Sequence, residues 1–172
     1  TLNQRLYNEF AKKLLDNGCS GLAPFGTTGE ALSVGNRERM NALEGLVKSG
    51  VNPEVLIPGT GLCNIPDTVM ITQHAMDLGC YGVMMLPPFY YKDMDESGLF
   101  NYYEEVIQKI NRTNLKIYLY HIPQVAGVGL SIDLVTRLKS KYPAIIEGIK
   151  DSSGVWENTE ALLGIKDLVV YP

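Results

Sequence analysis

A lysine stands at the end of an apolar run in the segment EGIKDSSG, residues 147–154. Regular strand alternation predicts that Lys150 shares one face with Ile146, Gly148 and Ser152. A lysine on the inner face of a covered sheet loses hydration, which disfavours its charged form and leaves a neutral amine. Such an amine attacks carbonyl carbon, and the resulting protonated Schiff base withdraws electrons as aldol cleavage or condensation requires. The alternative is a lysine that extends from the strand end into solvent.

Two further segments carry groups that this chemistry needs. In LYHIP, Tyr120 comes level with Lys150 if the two strands are adjacent, and its phenol can then transfer protons to and from a carbonyl oxygen. In GTTGE, residues 26–30, Gly29 lets the backbone approach a ligand, and the hydroxyls of Thr27 and Thr28 can bind a carboxylate. Each segment alone also fits a structural role, as a core tyrosine or a tight loop. Together they predict a site for a keto acid.

The elements that must position these residues alternate regularly along the chain. Amphipathic helical segments alternate with short apolar runs, about six of each, which predicts an α/β fold with a parallel sheet. Such a sheet is either open and doubly wound or closed as a (β/α)8 barrel, and in both the functional loops follow the strand ends. The predicted strands are GLAPFG, EVLIPGTG, YGVMMLPP, KIYLYHIP, the lysine strand and LVVYP; the predicted helices lie near residues 2–18, 36–49, 66–79, 97–111, from 131, and 155–164.

Composition restricts the class of protein. The chain has 172 residues, of which 45% are hydrophobic and 20% charged, as in an ordinary globular protein with one core. A net charge of −4 without a basic block argues against nucleic acid, and no apolar run approaches the length of a membrane span. Three scattered cysteines indicate neither disulfides nor zinc, so we expect the cytoplasm. We interpret residues 1–172 as a single domain, an incomplete barrel truncated at both ends, because a complete one takes about 250 residues.

The segments GTTGE, YHIP and GIKDSSG together resemble the signature segments of the pyruvate-dependent class I aldolases, the dihydrodipicolinate synthase and N-acetylneuraminate lyase family. The resemblance runs through the whole chain in order. It implies a (β/α)8 barrel and a lyase or aldolase that joins pyruvate to an aldehyde or cleaves the product. It also implies a homodimer or homotetramer, and no cofactor beyond the covalent Schiff base.

The resemblance also implies roles for individual residues. Lys150 forms the Schiff base with pyruvate, Tyr120 relays protons, and Thr27 and Thr28 contact the carboxylate and the tyrosine hydroxyl. Tyr90, in PPFYY, matches a tyrosine that is lent across a dimer interface to the neighbouring active site. An aromatic loop residue packed on its own subunit is the alternative for Tyr90.

The chain departs from dihydrodipicolinate synthases at two positions beside the tyrosine. His121 replaces the usual asparagine, and Val125 stands where an arginine binds the carboxylate of the aldehyde. A hydrophobic side chain cannot replace a bidentate carboxylate clamp, which argues against aspartate semialdehyde as the partner. The stretch IPQVAGVGLS is instead closer to that of sialic acid lyases and other sugar-acid aldolases.

Other functions receive less support from the residues. The two histidines, His74 in a predicted helix and His121 in a strand, do not have the spacing of a metal site, so we expect no metal and a structural role for His121. GTGLCN lacks the third glycine of a dinucleotide fingerprint. A barrel that senses a keto acid would retain the GTTGE pocket but would need neither Lys150 nor Tyr120.

Overall fold

A computed structural model describes residues 2–172 and shows helices alternating with parallel strands. The helices and strands follow the predicted order, with one additional short helix after the second strand. The α-helices are α1 (Gln4–Asp16), α2 (Asn36–Lys48), α3 (Ile65–Asp77), α4 (Glu96–Ile110), α5 (Pro123–Ala126), α6 (Ile132–Lys141) and α7 (Trp156–Leu163). The strands are β1 (Val83–Met85), β2 (Ile117–His121), β3 (Ile146–Asp151) and β4 (Val169–Tyr171).

Side-chain caps determine where several of these helices begin. A polar residue before the first turn accepts a hydrogen bond from a backbone N–H that has no partner inside the helix. Ser131 performs this role for α6, as its position in the sequence predicts. The other side-chain caps of long helices are Asn3 for α1, Asn64 for α3 and Asp95 for α4.

The four strands form one parallel sheet in the order β1-β2-β3-β4. Two isolated parallel bridges, Leu22 with Leu56 and Gly59 with Met84, continue the same pairing beyond β1. The chain therefore has the α/β architecture with parallel strands that the sequence predicts. Each consecutive strand lies beside its predecessor, with a helix on the connection.

The predicted first two strands are not regular strands. GLAPFG and EVLIPGTG contribute only the bridge residues, and Pro53–Val55 forms a short 3₁₀ helix at the start of the second segment. Pro24 and Pro58 lie within these segments, and proline has no N–H to donate to a neighbouring strand. The prediction of six strands is thus corrected to four strands and two bridged segments among the described residues.

The predicted face of Ile146 is also wrong. Ile146 pairs with Ile117, whereas the next pair is Tyr118 with Gly148, so Glu147 is an additional residue in β3. This bulge reverses the alternation, and Ile146 joins Ile149 in the core on the helix side. Lys150 keeps its predicted face because it lies beyond the irregularity.

Apolar side chains cover both faces of the sheet in two separate clusters. The larger cluster lies between the sheet and the helices and includes Val83, Met85 and Leu119. A smaller cluster on the opposite face contains Met84 and Tyr120 with side chains that follow β1 and β2. The predicted site residue Tyr120 therefore faces away from the helical layer. Among residues 2–172, no helix combines the length and the apolar character that crossing a membrane requires.

Candidate active site

Lys150 and Tyr120 lie side by side at the carboxyl ends of β3 and β2. Their Cα atoms are register partners, which confirms that the two strands are adjacent and level at this point. The Lys150 Nζ lies 4.6 Å from the centroid of the Tyr120 ring and donates a hydrogen bond to the Ser152 hydroxyl. Tyr120 is only 4% exposed and Lys150 is half-buried. The amine of Lys150 thus contacts the ring of Tyr120, whose hydroxyl is the candidate for proton transfer during imine formation.

Thr27 joins this pair from the GTTGE loop. The Tyr120 hydroxyl donates to the Thr27 Oγ1 at 3.1 Å, across 93 positions of sequence. The residues that flank the loop, Phe25 and Glu30, have φ values of 60° and 50°, in the left-handed region. Such a conformation is strained for a bulky residue such as phenylalanine and is found where surrounding contacts enforce it. The turn at Phe25 brings the loop over the end of β2.

The other predicted site residues have fewer contacts. Thr28 and Gly29 are exposed beside Thr27, and the Thr28 hydroxyl has no hydrogen-bond partner within residues 2–172. Tyr90 is 72% exposed, and its ring stands edge-on to Tyr91 with 5.1 Å between centroids. Within one chain, the structure brings together Lys150, Tyr120 and Thr27. The catalytic and binding roles of all six predicted residues stay predictions.

A cavity of about 220 Å³ lies next to Tyr120 and Thr27. We call it the mouth cavity. Its walls are largely apolar and include Phe89 and Val125, the residue at the position of the expected arginine. Lys150 lines a second cavity of about 480 Å³, which contacts the Tyr118 and Tyr171 rings deeper along the same face.

Close backbone approach explains the glycines of the GTG segment. A Cβ on Gly59 would collide with the Phe25 carbonyl oxygen, and a Cβ on Gly61 would collide with the backbone nitrogen of Leu86. Both glycines line the mouth cavity. The motif therefore allows three chain segments to meet at the cavity wall.

Arg39 also lines the mouth cavity, although it is not among the site residues predicted from the sequence. It extends from α2, is 4% exposed, donates to the Gly59 carbonyl and lies 5.6 Å from the centroid of the Phe25 ring. Burial lowers the pKa of its guanidinium, which still remains charged at neutral pH. A signal was present: Arg39 shares the buried stripe of α2 with Ala42, Leu43 and Leu46, where an apolar residue is expected.

His121 and Asp151 stabilise the strand ends from the helix side. The His121 Nδ1 accepts a 2.9 Å hydrogen bond from the backbone N–H of Leu130, which confirms the predicted structural role. Burial lowers the pKa of His121. The negative charge of Asp151 acts in the opposite direction but is the smaller of the two effects. Burial would raise the pKa of Asp151, but hydrogen bonds from Thr159, Ser153 and Asn158 lower it to about 2. Asp151 is therefore an ionised acceptor and not a general base at neutral pH.

The chain is similar to a family of known enzymes. A sequence model of the dihydrodipicolinate synthetase family matches residues 1–171. An uncharacterised DapA-like lyase from Chloroflexus aurantiacus is 34% identical over 154 residues, which are 90% of this chain and 51% of that protein. The chain thus spans about half the length of this curated relative.

Solved structures of the family superpose on the fold. A dihydrodipicolinate synthase from Agrobacterium tumefaciens has a TM-score of 0.95 at 37% identity, covering 99% of this chain and 60% of that one. The prophage protein YagE from E. coli K12, solved in complex with pyruvate, has a TM-score of 0.88 at 26% identity, covering 99% and 57%. Sequence, fold and motif order agree, and the chain belongs to the dihydrodipicolinate synthetase family.

Proposed function

We propose that the chain carries the Schiff-base site of a lyase or aldolase that acts on pyruvate and an aldehyde. One observation carries the proposal: the amine of Lys150 lies against Tyr120, whose hydroxyl is bonded to Thr27 at a strand end. A sensor of keto acids would not need this contact. Family membership and the pyruvate bound to YagE support the choice of keto acid.

The chemistry follows from the positions of these groups. The amine of Lys150 adds to the ketone carbon of pyruvate, and the new carbinolamine loses water to form a protonated imine. Tyr120 passes one proton from the amine nitrogen to the former carbonyl oxygen and then gives its own proton to the departing hydroxyl, which leaves as water, while Thr27 accepts the hydrogen bond of the phenol. The protonated imine withdraws electrons, so the methyl carbon gives a proton to the Tyr120 phenolate. The enamine then attacks the aldehyde carbon while the phenol protonates the new alkoxide, and water hydrolyses the imine to release the product from Lys150. Cleavage is the reverse sequence.

The GTTGE loop would hold the carboxylate of pyruvate. Thr27 lines the mouth cavity, and the exposed hydroxyl of Thr28 and the backbone at Gly29 follow it in the same loop, so the loop offers several donors of suitable chemistry. Since the imine itself withdraws the electrons, the proposed reaction uses no metal and no organic cofactor. Asp151, held by three neighbouring residues, takes no part in proton transfer.

We also propose the architecture in which this site works. The parallel strands and bridged segments would form part of a single (β/α)8 barrel domain, with the second cavity inside it. Similarity to solved structures of the family supports this arrangement. Free thiols at Cys19, Cys63 and Cys80 suit a reducing compartment such as the cytoplasm.

Tyr90 would act in a neighbouring subunit of a homodimer or homotetramer. A large aromatic side chain that is 72% exposed suits an interface with a second copy. The edge-on contact with Tyr91 orients its ring without covering it. In such an assembly, Tyr90 would complete the proton relay of the partner subunit's site.

The second candidate function is that of a sugar-acid aldolase, similar to sialic acid lyases. Val125 favours it, because this side chain lies at the mouth cavity, 61% exposed, where a carboxylate clamp would be. An aldehyde without an acidic group would need no clamp there. The nature of the aldehyde thus separates the two candidates.

Trapping the Schiff base tests the proposal. Full-length protein is incubated with pyruvate, reduced with borohydride and digested, and the modified peptide is located by mass spectrometry. We expect the adduct on Lys150 and none in the Lys150→Arg variant. Lys139 is the internal control, since this lysine is also buried but donates to the carbonyls of Pro143 and Ile146. An adduct elsewhere, or none, would contradict the assignment.

A further inference from the structure

Arg39 is a buried cation for which residues 2–172 supply no anionic partner. Its Nη2 donates to the Gly59 carbonyl, its guanidinium lies over the Phe25 ring, and its Nε has no hydrogen-bond partner. None of the ion pairs among these residues includes it. At 4% exposure, the side chain is largely removed from bulk solvent. An unpaired charge in such surroundings is costly, and a bound anion would offset that cost.

The mouth cavity gives this cation a place to act. Arg39 is the one charged side chain among the described residues that line the cavity, and Tyr120 and Thr27 form part of the same wall. Most of the remaining wall is apolar, with Leu32, Met84 and others. A planar guanidinium at the wall of a largely apolar cavity suits a carboxylate, which accepts two parallel hydrogen bonds.

We propose that Arg39 binds a carboxylate carried by the aldehyde substrate, and so selects acidic aldehydes with a short apolar chain. The inference rests on the proposed function and specifies its second substrate. Val125 leaves one wall of the cavity without a clamp, and Arg39 supplies the charge from α2 instead. The carboxylate of pyruvate stays with the loop around Thr27.

The experiment compares two aldehydes that differ in charge. Full-length protein is assayed with pyruvate and either succinic semialdehyde or butanal, and the ratio of their kcat/KM values is measured. We expect the wild type to prefer succinic semialdehyde and Arg39→Met to lower the ratio by about tenfold or more, mainly through KM. Arg39→Lys keeps the charge without the planar fork and should lower it less.

A matched control lies on the same helix. Arg37 is exposed on α2, and Arg37→Met should leave the ratio unchanged. The inference is overturned if Arg39→Met lowers both kcat/KM values equally, if it raises KM for pyruvate instead, or if the wild type prefers butanal. Should Arg39→Met not fold, two other measurements test the inference. One is the aldehyde ratio of Arg39→Lys, and the other is inhibition of the butanal reaction by succinate in the wild type, which binding of a carboxylate at Arg39 requires.

Trapping at Lys150 separates the two proposals. If borohydride fixes pyruvate on Lys150 but the aldehyde ratio does not depend on Arg39, only the role of Arg39 is wrong. If no adduct forms on Lys150 in the wild type, the proposed function itself fails.

Discussion

At the scale of single residues, two neighbours orient the amine of Lys150. The Ser152 hydroxyl accepts its hydrogen bond, and the Tyr120 ring lies beneath it at 4.6 Å. Both contacts come from residues at the ends of adjacent strands, so the amine is held in place before a substrate arrives. Preorganisation of this kind reduces the entropy that must be lost when the reacting atoms meet.

Removing the phenol should separate orientation from proton transfer. Tyr120→Phe keeps the ring under Lys150 but loses the hydroxyl, so we expect kcat to fall about 10²-fold or more. Thr27→Val, which removes the acceptor of the same hydroxyl, should lower kcat less. Steady-state kinetics with pyruvate and an aldehyde measure both effects.

Tyr118→Phe is the matched control for this prediction. Tyr118 is on the same face of β2, two residues earlier, and its ring packs on Tyr171 with 5.5 Å between centroids. Its loss of a hydroxyl should leave kcat close to the wild-type value. A Tyr120→Phe enzyme as active as Tyr118→Phe would contradict a proton relay through Tyr120.

The pairing of Tyr120 with Lys150 could be predicted because parallel neighbours end at the same edge and strand alternation assigns the face. The position of Arg39 on the apolar stripe of α2 could have indicated its burial, but its place at the cavity wall could not be predicted, since a charged residue in an amphipathic helix is ordinarily assigned to solvent. Its burial depends on Phe25 and Gly59, two residues far away in sequence. Ser152 was assigned to the correct face, but its contact with Lys150 depends on the local course of the chain after β3.

At the scale of elements, Asp151 joins the end of β3 to the start of α7. Its carboxylate accepts from the Ser153 backbone N–H, the Asn158 amide and the Thr159 hydroxyl, at 2.7–3.0 Å. This contact positions the strand end that carries Lys150, one residue earlier. These hydrogen bonds therefore tie the short connection and the start of the helix to β3.

Loss of this carboxylate should be measurable as a pH-dependent loss of stability. The pKa of Asp151 is lowered from 3.8 to about 2, so its contribution is present at neutral pH and is lost as pH falls through that range. Asp151→Asn should lower the free energy of unfolding by about 2 kcal/mol at pH 7. The difference from wild type should shrink between about pH 5 and pH 2.

Denaturant unfolding at several pH values measures this effect, and Asp133→Asn is its control. Asp133 is an exposed residue of α6 whose ion pair with Arg137 spans one helical turn at 3.5 Å. Its replacement should change the free energy of unfolding by less than about 1 kcal/mol. An Asp151→Asn deficit that persists unchanged at low pH would contradict the role of the ionised carboxylate.

Most elements could be predicted from hydrophobic periodicity and helix caps, whereas their irregularities could not. The first two apolar runs have the composition of strands, but Pro24 and Pro58 interrupt their pairing. The bulge at Glu147 is not visible in the sequence because any residue can occupy such a position. The short helix α5 has one turn, too little for a periodic pattern.

At the scale of the molecule, the sheet of residues 2–172 has two outer edges. At one edge, β4 pairs only with β3 among these residues. At the opposite edge, the segment that contains Leu22 pairs only with the segment that contains Leu56. Val169 and Tyr171 on β4 are 39% and 46% exposed. Unpaired strand edges with exposed apolar residues promote association with other chains.

A protein made of residues 1–172 alone should therefore self-associate as its concentration rises. Val169→Lys places a charge on the exposed β4 edge and should reduce this association, because burying a lysine at a strand contact is unfavourable. Light scattering and sedimentation velocity measure the change. Equal association of both proteins would show that β4 is not the contact, and a monomer at high concentration would contradict the prediction.

The register between β2 and β3 has one more consequence, for the design of new aldolases. Positions 120 and 150 occupy equivalent points on two neighbouring strands. A double exchange, Tyr120→Lys with Lys150→Tyr, would shift the nucleophile sideways by one strand spacing, about 4.8 Å, while preserving its contact with a phenol. The sheet thus has two equivalent positions for one reactive amine. A new substrate could be accommodated by moving the nucleophile from one position to the other, without redesign of the surrounding loops.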